Sequence, residues 1–67
     1  MAKVKISKED VGRWVTVKWD DIGRVDCLLV DIHPDYKDDM KVFQPHSGLH
    51  RIDRDQIIEK RGYQNAA

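Results

Sequence analysis

The stretch Trp14–His33 constrains the fold of this chain more than any other part of its sequence. Its first residues place Val15, Val17 and Trp19 on one face, with the two-residue period of a half-buried β-strand. A polar Asp-Asp-Ile-Gly segment follows, in which Gly23 is free to adopt the positive φ of a tight turn. A second β-rich run comes directly after that turn. The stretch therefore predicts a β-hairpin at the centre of the fold.

The second strand of this hairpin is too apolar to be an ordinary half-exposed strand. Alternation places Leu28, Val30 and Ile32 on one face. Cys27 and Leu29 then lie on the opposite face. Because both faces carry apolar residues, the pattern is typical of a long strand that bends and serves two sheets of a small barrel.

Three shorter strands are predicted in the rest of the chain, at residues 40–44, 49–52 and 57–60. Pro34 ends the hairpin because it has no amide hydrogen to donate. Residues 53–56 are polar and too few for an α-helix, so they predict one 3-10 turn before the last strand. Short antiparallel strands joined in sequence can close on themselves and remove exposed sheet edges. The sequence thus predicts an all-β fold, a small five-stranded antiparallel barrel.

The 67 residues make one small domain with a thin core. We expect residues 10–61 to form the barrel, residues 1–9 to form an arm or a short strand, and residues 62–67 to form a flexible tail. Within residues 7–12 the sequence favours a polar turn over a helical turn, because the run is so short. Self-association is a common remedy for a core of this size.

Charge and hydropathy limit the partners of the chain. Lys and Arg together number 12, as do Asp and Glu, and this balance argues against a dedicated, non-specific nucleic-acid binder. No apolar run approaches the roughly 20 residues that cross a bilayer, and the N-terminus lacks the apolar core of a signal peptide. The single cysteine, Cys27, cannot form an internal disulfide. These features predict a cytoplasmic protein with no membrane partner.

Two parts of the sequence resemble Tudor-like and related SH3-like domains. Residues 10–32 look like their first hairpin, with a glycine, a strand of alternating apolar residues, an acidic turn and a longer second strand. Residues 40–59 resemble their third strand, tight turn, fourth strand, one-turn helix and closing aliphatic pair. The resemblance covers residues 10–60 and is one of pattern. It implies an SH3-like (Tudor-like) barrel that acts as a binding module.

The resemblance also implies a place for a ligand. Tudor domains that read methylated side chains use an aromatic cage at one end of the barrel, where ring faces attract a poorly hydrated cation. Trp19 matches a cage position, and Asp20 or Asp21 matches the acidic neighbour. Phe43 lies where the third strand contributes an aromatic residue. The candidates are completed by the loop residue Tyr36 and by His46, which stands where an aromatic residue is common.

No catalytic, metal or cofactor site is predicted. Cys27 has no partnered base near it in sequence and is interpreted as a small buried hydrophobe. His46 and His50 flank a turn but show no ordered ligand spacing, even with His33 or Asp53 as a further ligand. The acidic loop at Asp35, Asp38 and Asp39 lacks the glycine and the final glutamate of an EF-hand.

The sequence therefore predicts a non-catalytic interaction module. It would bind a protein segment, or a second copy of itself, through the aromatic-bearing end of the barrel. One alternative is a small nucleic-acid-binding barrel, in which the aromatic residues stack on bases and Arg51, Arg54 and Lys60 contact phosphates. A remote alternative is an enzyme whose site forms only in an oligomer, as in the small SH3-like barrel of the plasmid-borne dihydrofolate reductase.

Overall fold

A computed structural model of the chain describes residues 4–64. Five strands and two 3-10 turns make up the fold. The first 3-10 turn covers Lys8–Asp10 and the second covers Arg54–Gln56. The strands are β1 (Arg13–Trp19), β2 (Gly23–Ile32), β3 (Asp39–Gln44), β4 (Gly48–Asp53) and β5 (Ile57–Tyr63).

All five strands belong to one antiparallel sheet with the order β4-β3-β2-β1-β5. The prediction of an all-β fold with five antiparallel strands and a 3-10 turn before the last strand is confirmed. Within residues 4–64 no hydrogen-bonded ladder joins β4 to β5, so the sheet is not closed. The same part of the chain contains no helix with the length and apolarity to span a membrane.

The central hairpin forms as the alternation predicts. β1 and β2 pair in unbroken register from Trp14 opposite Leu28 to Trp19 opposite Gly23. Gly23 closes the turn with a φ of 82°, a conformation that residues with a Cβ rarely adopt. The turn chemistry of the sequence therefore fixes the register of this hairpin.

A bulge in β2 changes the predicted arrangement of its side chains. The register with β3 shifts between Leu29 and Asp31, which leaves Val30 as the extra residue. Ile32 consequently lies opposite Met40 and packs against the core, whereas simple alternation placed it on the face of Leu28. The expectation that β2 serves two sheets is wrong, because the bulge bends the strand within a single sheet.

One face of the sheet encloses the hydrophobic core. Every strand contributes to it, which shows that the sheet curves around a common centre. The fully buried apolar residues are Val15, Val17, Cys27, Leu29, Met40, Val42, Ile52 and Ile57. Val4 and Ile6 of the N-terminal segment also pack against this core, although residues 4–7 are not a strand.

The segment before β1 forms a 3-10 turn, where the sequence favours a polar turn. Buried Asp10 explains the difference, because its carboxylate accepts a hydrogen bond of 2.9 Å from the Ser7 amide. The same carboxylate lies 3.4 Å from Arg13 and 3.5 Å from Lys60. Contacts with two strands therefore hold a turn that is too short to be stable alone.

β5 extends beyond the predicted end of the barrel at residue 61. Tyr63 still belongs to the strand, and its hydroxyl donates a hydrogen bond of 2.8 Å to the Glu9 carbonyl. The Arg13 guanidinium lies 5.2 Å from the centre of the Tyr63 ring. These contacts attach the strand to the first 3-10 turn and to β1. The rest of the predicted tail, residues 65–67, and the start of the predicted arm, residues 1–3, lie outside the described residues.

Candidate functional site

Trp19 is half-buried at the end of β1 and lies on the core face of the sheet. Its ring packs edge-on against His50, with 5.4 Å between the ring centroids and an interplanar angle of 66°. The turn that follows carries Asp20 and Asp21, which are both exposed. Trp19 therefore packs against the body of the protein, and the two carboxylates next to it face solvent.

Phe43 lies on the opposite face of the sheet from Trp19. It pairs with Leu28, which in turn pairs with Trp14, and these three residues share the outer face. Trp14 and Trp19 have opposite parity on β1, so Trp19 points away from that face. Trp19 and Phe43 cannot line one cage, because the sheet lies between them.

Within residues 4–64 neither Tyr36 nor His46 makes a ring contact with Trp19 or Phe43. Tyr36 is 67% exposed in the loop between β2 and β3, where its ring packs against His33 at a centroid distance of 4.9 Å. The same loop borders an open depression of about 420 Å³ next to β4. His46 is exposed in the turn between β3 and β4. The predicted ligand-binding residues are therefore spread over both faces and several loops.

The three candidate phosphate contacts are each bound to a carboxylate. Arg51 donates two hydrogen bonds to Asp39, and these lower the pKa of that carboxyl and raise the pKa of Arg51. Arg54 donates to a carboxylate oxygen of Asp38 at 2.8 Å. Lys60 lies 3.5 Å from the carboxylate of Asp10, on a strand at the other end of the sheet order from β4. Each of the three basic residues therefore already has a carboxylate partner, and Lys60 lies apart from the other two.

Ser47 and His50 form a close pair in the turn between β3 and β4. The Ser47 hydroxyl donates to the side-chain carbonyl of buried Gln44 at 2.6 Å and lies 2.6 Å from Nε2 of His50. A hydroxyl that donates to Gln44 can accept a hydrogen bond from a protonated Nε2 of His50. The three side chains then form one chain of hydrogen bonds that holds the turn.

Cys27 is fully buried in the core. Burial raises the pKa of its thiol, and the negative charge of Asp26 raises it further. The indole N–H of Trp19 partly offsets this rise in the pKa of the thiol. That N–H is buried and makes no hydrogen bond of normal geometry within the described residues. Cys27 thus remains a neutral thiol at physiological pH, which is the opposite of an activated nucleophile.

Across residues 4–64, no group of three or more His, Cys, Asp or Glu side chains is placed to hold a metal ion.

The outer face of the sheet carries a continuous row of apolar residues that sequence reasoning did not group. The row runs from β1 to β4 through consecutive cross-strand pairs. We call it the outer row, and it consists of Trp14, Leu28, Phe43 and Leu49. Phe43 is 39% exposed and Leu49 is 65% exposed, whereas Trp14 and Leu28 are half-buried. The row becomes more exposed towards β4.

This arrangement differs from isolated apolar residues on a protein surface, which are common and need no explanation. Directly opposed residues on one face of a sheet have Cβ atoms about 5 Å apart, so each member of the outer row lies beside the next. Four neighbouring strands therefore present one connected apolar surface about 14 Å long. A connected apolar surface that polar residues surround is a candidate interaction site.

Comparison with protein-family models, curated proteins and solved structures gives no match to the chain.

Proposed function

We propose that the chain is a non-catalytic interaction module that binds protein through the outer row. The single observation that carries this proposal is the pairing of Trp14, Leu28, Phe43 and Leu49 across four strands, with exposure that rises to 65% at Leu49. Aromatic residues with accessible faces are the groups that contribute most to protein interfaces. The proposal keeps Phe43 as a binding residue and moves the site from the end of the barrel to its outer face.

The fold supports the same interpretation. A meander of four strands, a 3-10 turn and a fifth strand that returns to β1 is the layout expected of an SH3-like barrel. We assign the chain to that class as part of the proposal. Small barrels of this kind often serve as binding modules, but the class supplies only a fold-level analogy. The outer row, and not the fold class, therefore indicates function.

The nucleic-acid alternative has less support in the geometry. It needs aromatic residues next to free cations, so that bases stack while phosphates are neutralised. Arg51, Arg54 and Lys60 are each committed to a carboxylate. Of the basic residues two positions along a strand from the outer row, Arg51 is bound to Asp39 and only Lys41 has no ion pair among the described residues, and one cation is fewer than a phosphate-binding groove uses. We therefore treat binding to oligonucleotides as an outcome of the test.

Selection from a displayed library of random peptides tests the proposal. We expect immobilised protein to enrich apolar peptides whose binding is lost in Phe43→Ser and in Leu49→Ser. Tyr36→Ser is the matched control, because Tyr36 is as exposed as Leu49 but lies in a loop away from the outer row. This control should retain full binding of the selected peptides.

Two results would overturn the proposal. One is peptide binding that survives both outer-row substitutions and is lost in Tyr36→Ser or Trp19→Phe, which would return the site to the predicted aromatic residues. The other is tight, salt-sensitive binding of single-stranded oligonucleotides to the native chain without enrichment of any peptide.

A further inference from the structure

Within residues 4–64 the sheet has two edge strands, β4 and β5, and their free sides are not equally protected. An edge strand exposes amide and carbonyl groups that can pair with another extended chain, and register irregularities and charged side chains discourage such pairing. β5 has both devices, because its pairing with β1 shifts register twice and residues 59–61 are all charged. β4 pairs with β3 in unbroken register and contains neither proline nor lysine. β4 is therefore the less protected edge.

The pairing of β4 with β3 shows which of its main-chain groups point away from the sheet. The Arg54 amide donates a hydrogen bond of 2.9 Å to the carbonyl of the residue before β3. Hydrogen-bonded positions alternate along an antiparallel pair, so the next residues of β4 that bond to β3 are Ile52 and His50. The main-chain groups of the residues between them, Leu49 and Arg51, therefore face away from β3.

These outward-facing groups have no hydrogen-bond partner within residues 4–64. The next outward-facing residue, Asp53, does have one, because its amide donates to the side-chain oxygen of Gln56 at 3.0 Å. No such bond reaches the main chain of Leu49 or Arg51, and both residues are exposed. Two amides and two carbonyls are thus available on residues whose separation along the strand is about 7 Å.

The side chains at this edge do not block it. Arg51 is the one charged residue of β4 before Asp53, and its guanidinium donates two hydrogen bonds to Asp39 on β3. Those bonds draw the charge across the sheet and away from the free side of β4. Leu49 is apolar and 65% exposed. The free side of β4 is therefore bordered by an apolar side chain and by a charge that is turned inward.

Unpaired main-chain groups at this spacing identify the kind of partner, because only another extended chain presents amides and carbonyls that match them. The inference rests on the proposed function, since it concerns how a peptide bound at the outer row is held: we infer that an extended segment of a partner protein pairs with Leu49 and Arg51 as an added strand. Its residue opposite Leu49 is apolar and continues the outer row. In this mode the main-chain bonds give affinity and the side chain gives specificity.

The paired segment is short. Gln56 occupies the edge at Asp53, and the turn at residues 45–47 ends β4 on the other side. Leu49 and Arg51 between them accommodate a strand of about four residues. The rest of a longer peptide is then free to cover the outer row.

A second copy of the chain fits this edge less well. Antiparallel pairing of two β4 strands about His50 places Leu49 of each copy opposite Arg51 of the other, so that an apolar side chain faces a charged one. Pairing about Arg51 places two guanidinium groups opposite each other, which is destabilising. A partner with its own sequence has neither conflict, and we therefore assign the edge to a different protein.

N-methylation of the tightest peptide from the displayed library tests the inference on the native chain. Every second amide of an added antiparallel strand faces β4, and the intervening amides face away. Methyl groups on one alternate set should weaken binding by about 10-fold or more, because each removes a main-chain hydrogen bond. Methyl groups on the other set should leave the dissociation constant unchanged. Isothermal titration calorimetry measures both.

A pair of substitutions at Arg51 tests the same edge from the side of the protein. Arg51→Pro removes the outward-facing amide and leaves the hydrogen bonds to β3 in place, as edge strands allow. Arg51→Ala is the matched control, because it loses the same guanidinium and keeps the amide. We expect Arg51→Pro to bind the peptide about 10-fold more weakly than Arg51→Ala. Circular dichroism checks that both variants fold.

Four outcomes would overturn the inference. Binding that tolerates both methylated sets but is lost in Leu49→Ser removes the added strand and leaves the proposed function intact. Equal loss with both sets indicates a partner that needs all of its amides, as a helix does. A dimer of the chain that Arg51→Pro dissociates, with no effect on peptide binding, assigns the edge to a second copy. A library that yields no peptide counts against the inference and the proposed function together.

Discussion

The two tryptophans of β1 show how much the position of a single residue depends on alternation. Trp19 has the same parity as Val15 and Val17, which are both fully buried, and it packs against the same core. Trp14 has the opposite parity and lies on the outer face. The two buried valines were the signal that placed Trp19 on the core side. The resemblance to Tudor-like domains implied that Trp19 is a cage residue, but Trp19 packs against the core and against His50.

The buried thiol of Cys27 predicts how the free energy of unfolding depends on pH. Its raised pKa means that the folded thiol stays protonated at a pH where the unfolded thiol ionises. This contribution to stability is fully present below the ordinary thiol pKa of about 8.5 and is lost as the pH rises towards the raised value. We expect the free energy of unfolding to fall more steeply with alkaline pH in the native chain than in Cys27→Ala. Urea denaturation from neutral to alkaline pH measures the difference, and parallel curves for the two proteins would contradict the assignment.

Gly23 provides a prediction about backbone conformation. Its φ is 82°, and an added Cβ would meet no atom within 4 Å, so the only penalty for a side chain is the left-handed conformation itself. Gly23→Ala should therefore destabilise the fold by about 1 kcal/mol. Gly62→Ala is the matched control, because it also meets no atom within 4 Å and its φ is not positive. Denaturant melts should show a loss for Gly23→Ala alone. Equal effects of the two substitutions would show that the turn is not held in this conformation.

At the scale of the elements, local sequence predicted most of the strands. The central hairpin, the third and fourth strands and the second 3-10 turn follow from alternation and turn residues, and all are present. The bulge at Val30 could not be predicted, because it depends on how β2 pairs with β3 and not on either strand alone. The extension of β5 to Tyr63 likewise depends on contacts with residues that are distant in sequence.

The buried carboxylate of Asp10 predicts how strongly the first 3-10 turn stabilises the fold. Its buried carboxylate connects the first 3-10 turn to β1 and β5 through Ser7, Arg13 and Lys60. Asp10→Ala removes this carboxylate and leaves the partners unsatisfied, so we expect a loss of about 1–3 kcal/mol of stability. Denaturant unfolding measures that loss.

The matched comparison is Glu9→Ala, because Glu9 is the exposed neighbour in the same turn and contributes its backbone carbonyl, not its side chain, to Tyr63. This variant should change the free energy of unfolding little. If Asp10→Ala were as stable as Glu9→Ala, the turn would be held by its backbone alone.

At the scale of the whole molecule, the outer row is a property of the sheet and not of any segment. Phe43 was a candidate from sequence, but Trp14, Leu28 and Leu49 join it only when the registers of three hairpins are known together. A one-residue shift in the register of any of these strands would move its outer-row residue to the core face. A binding surface of this kind therefore cannot be recognised from the sequence before the pairing of the strands is known.

Whether the chain binds protein at the outer row is decided by adding a selected apolar peptide and following the backbone amides by two-dimensional NMR. Binding should shift the signals of Trp14, Leu28, Phe43 and Leu49 together. The signals of Trp19 and Tyr36 should not change as peptide is added. Shifts confined to Trp19, Asp20 and Tyr36 would contradict binding at the outer row and place the contact where the aromatic cage was first predicted.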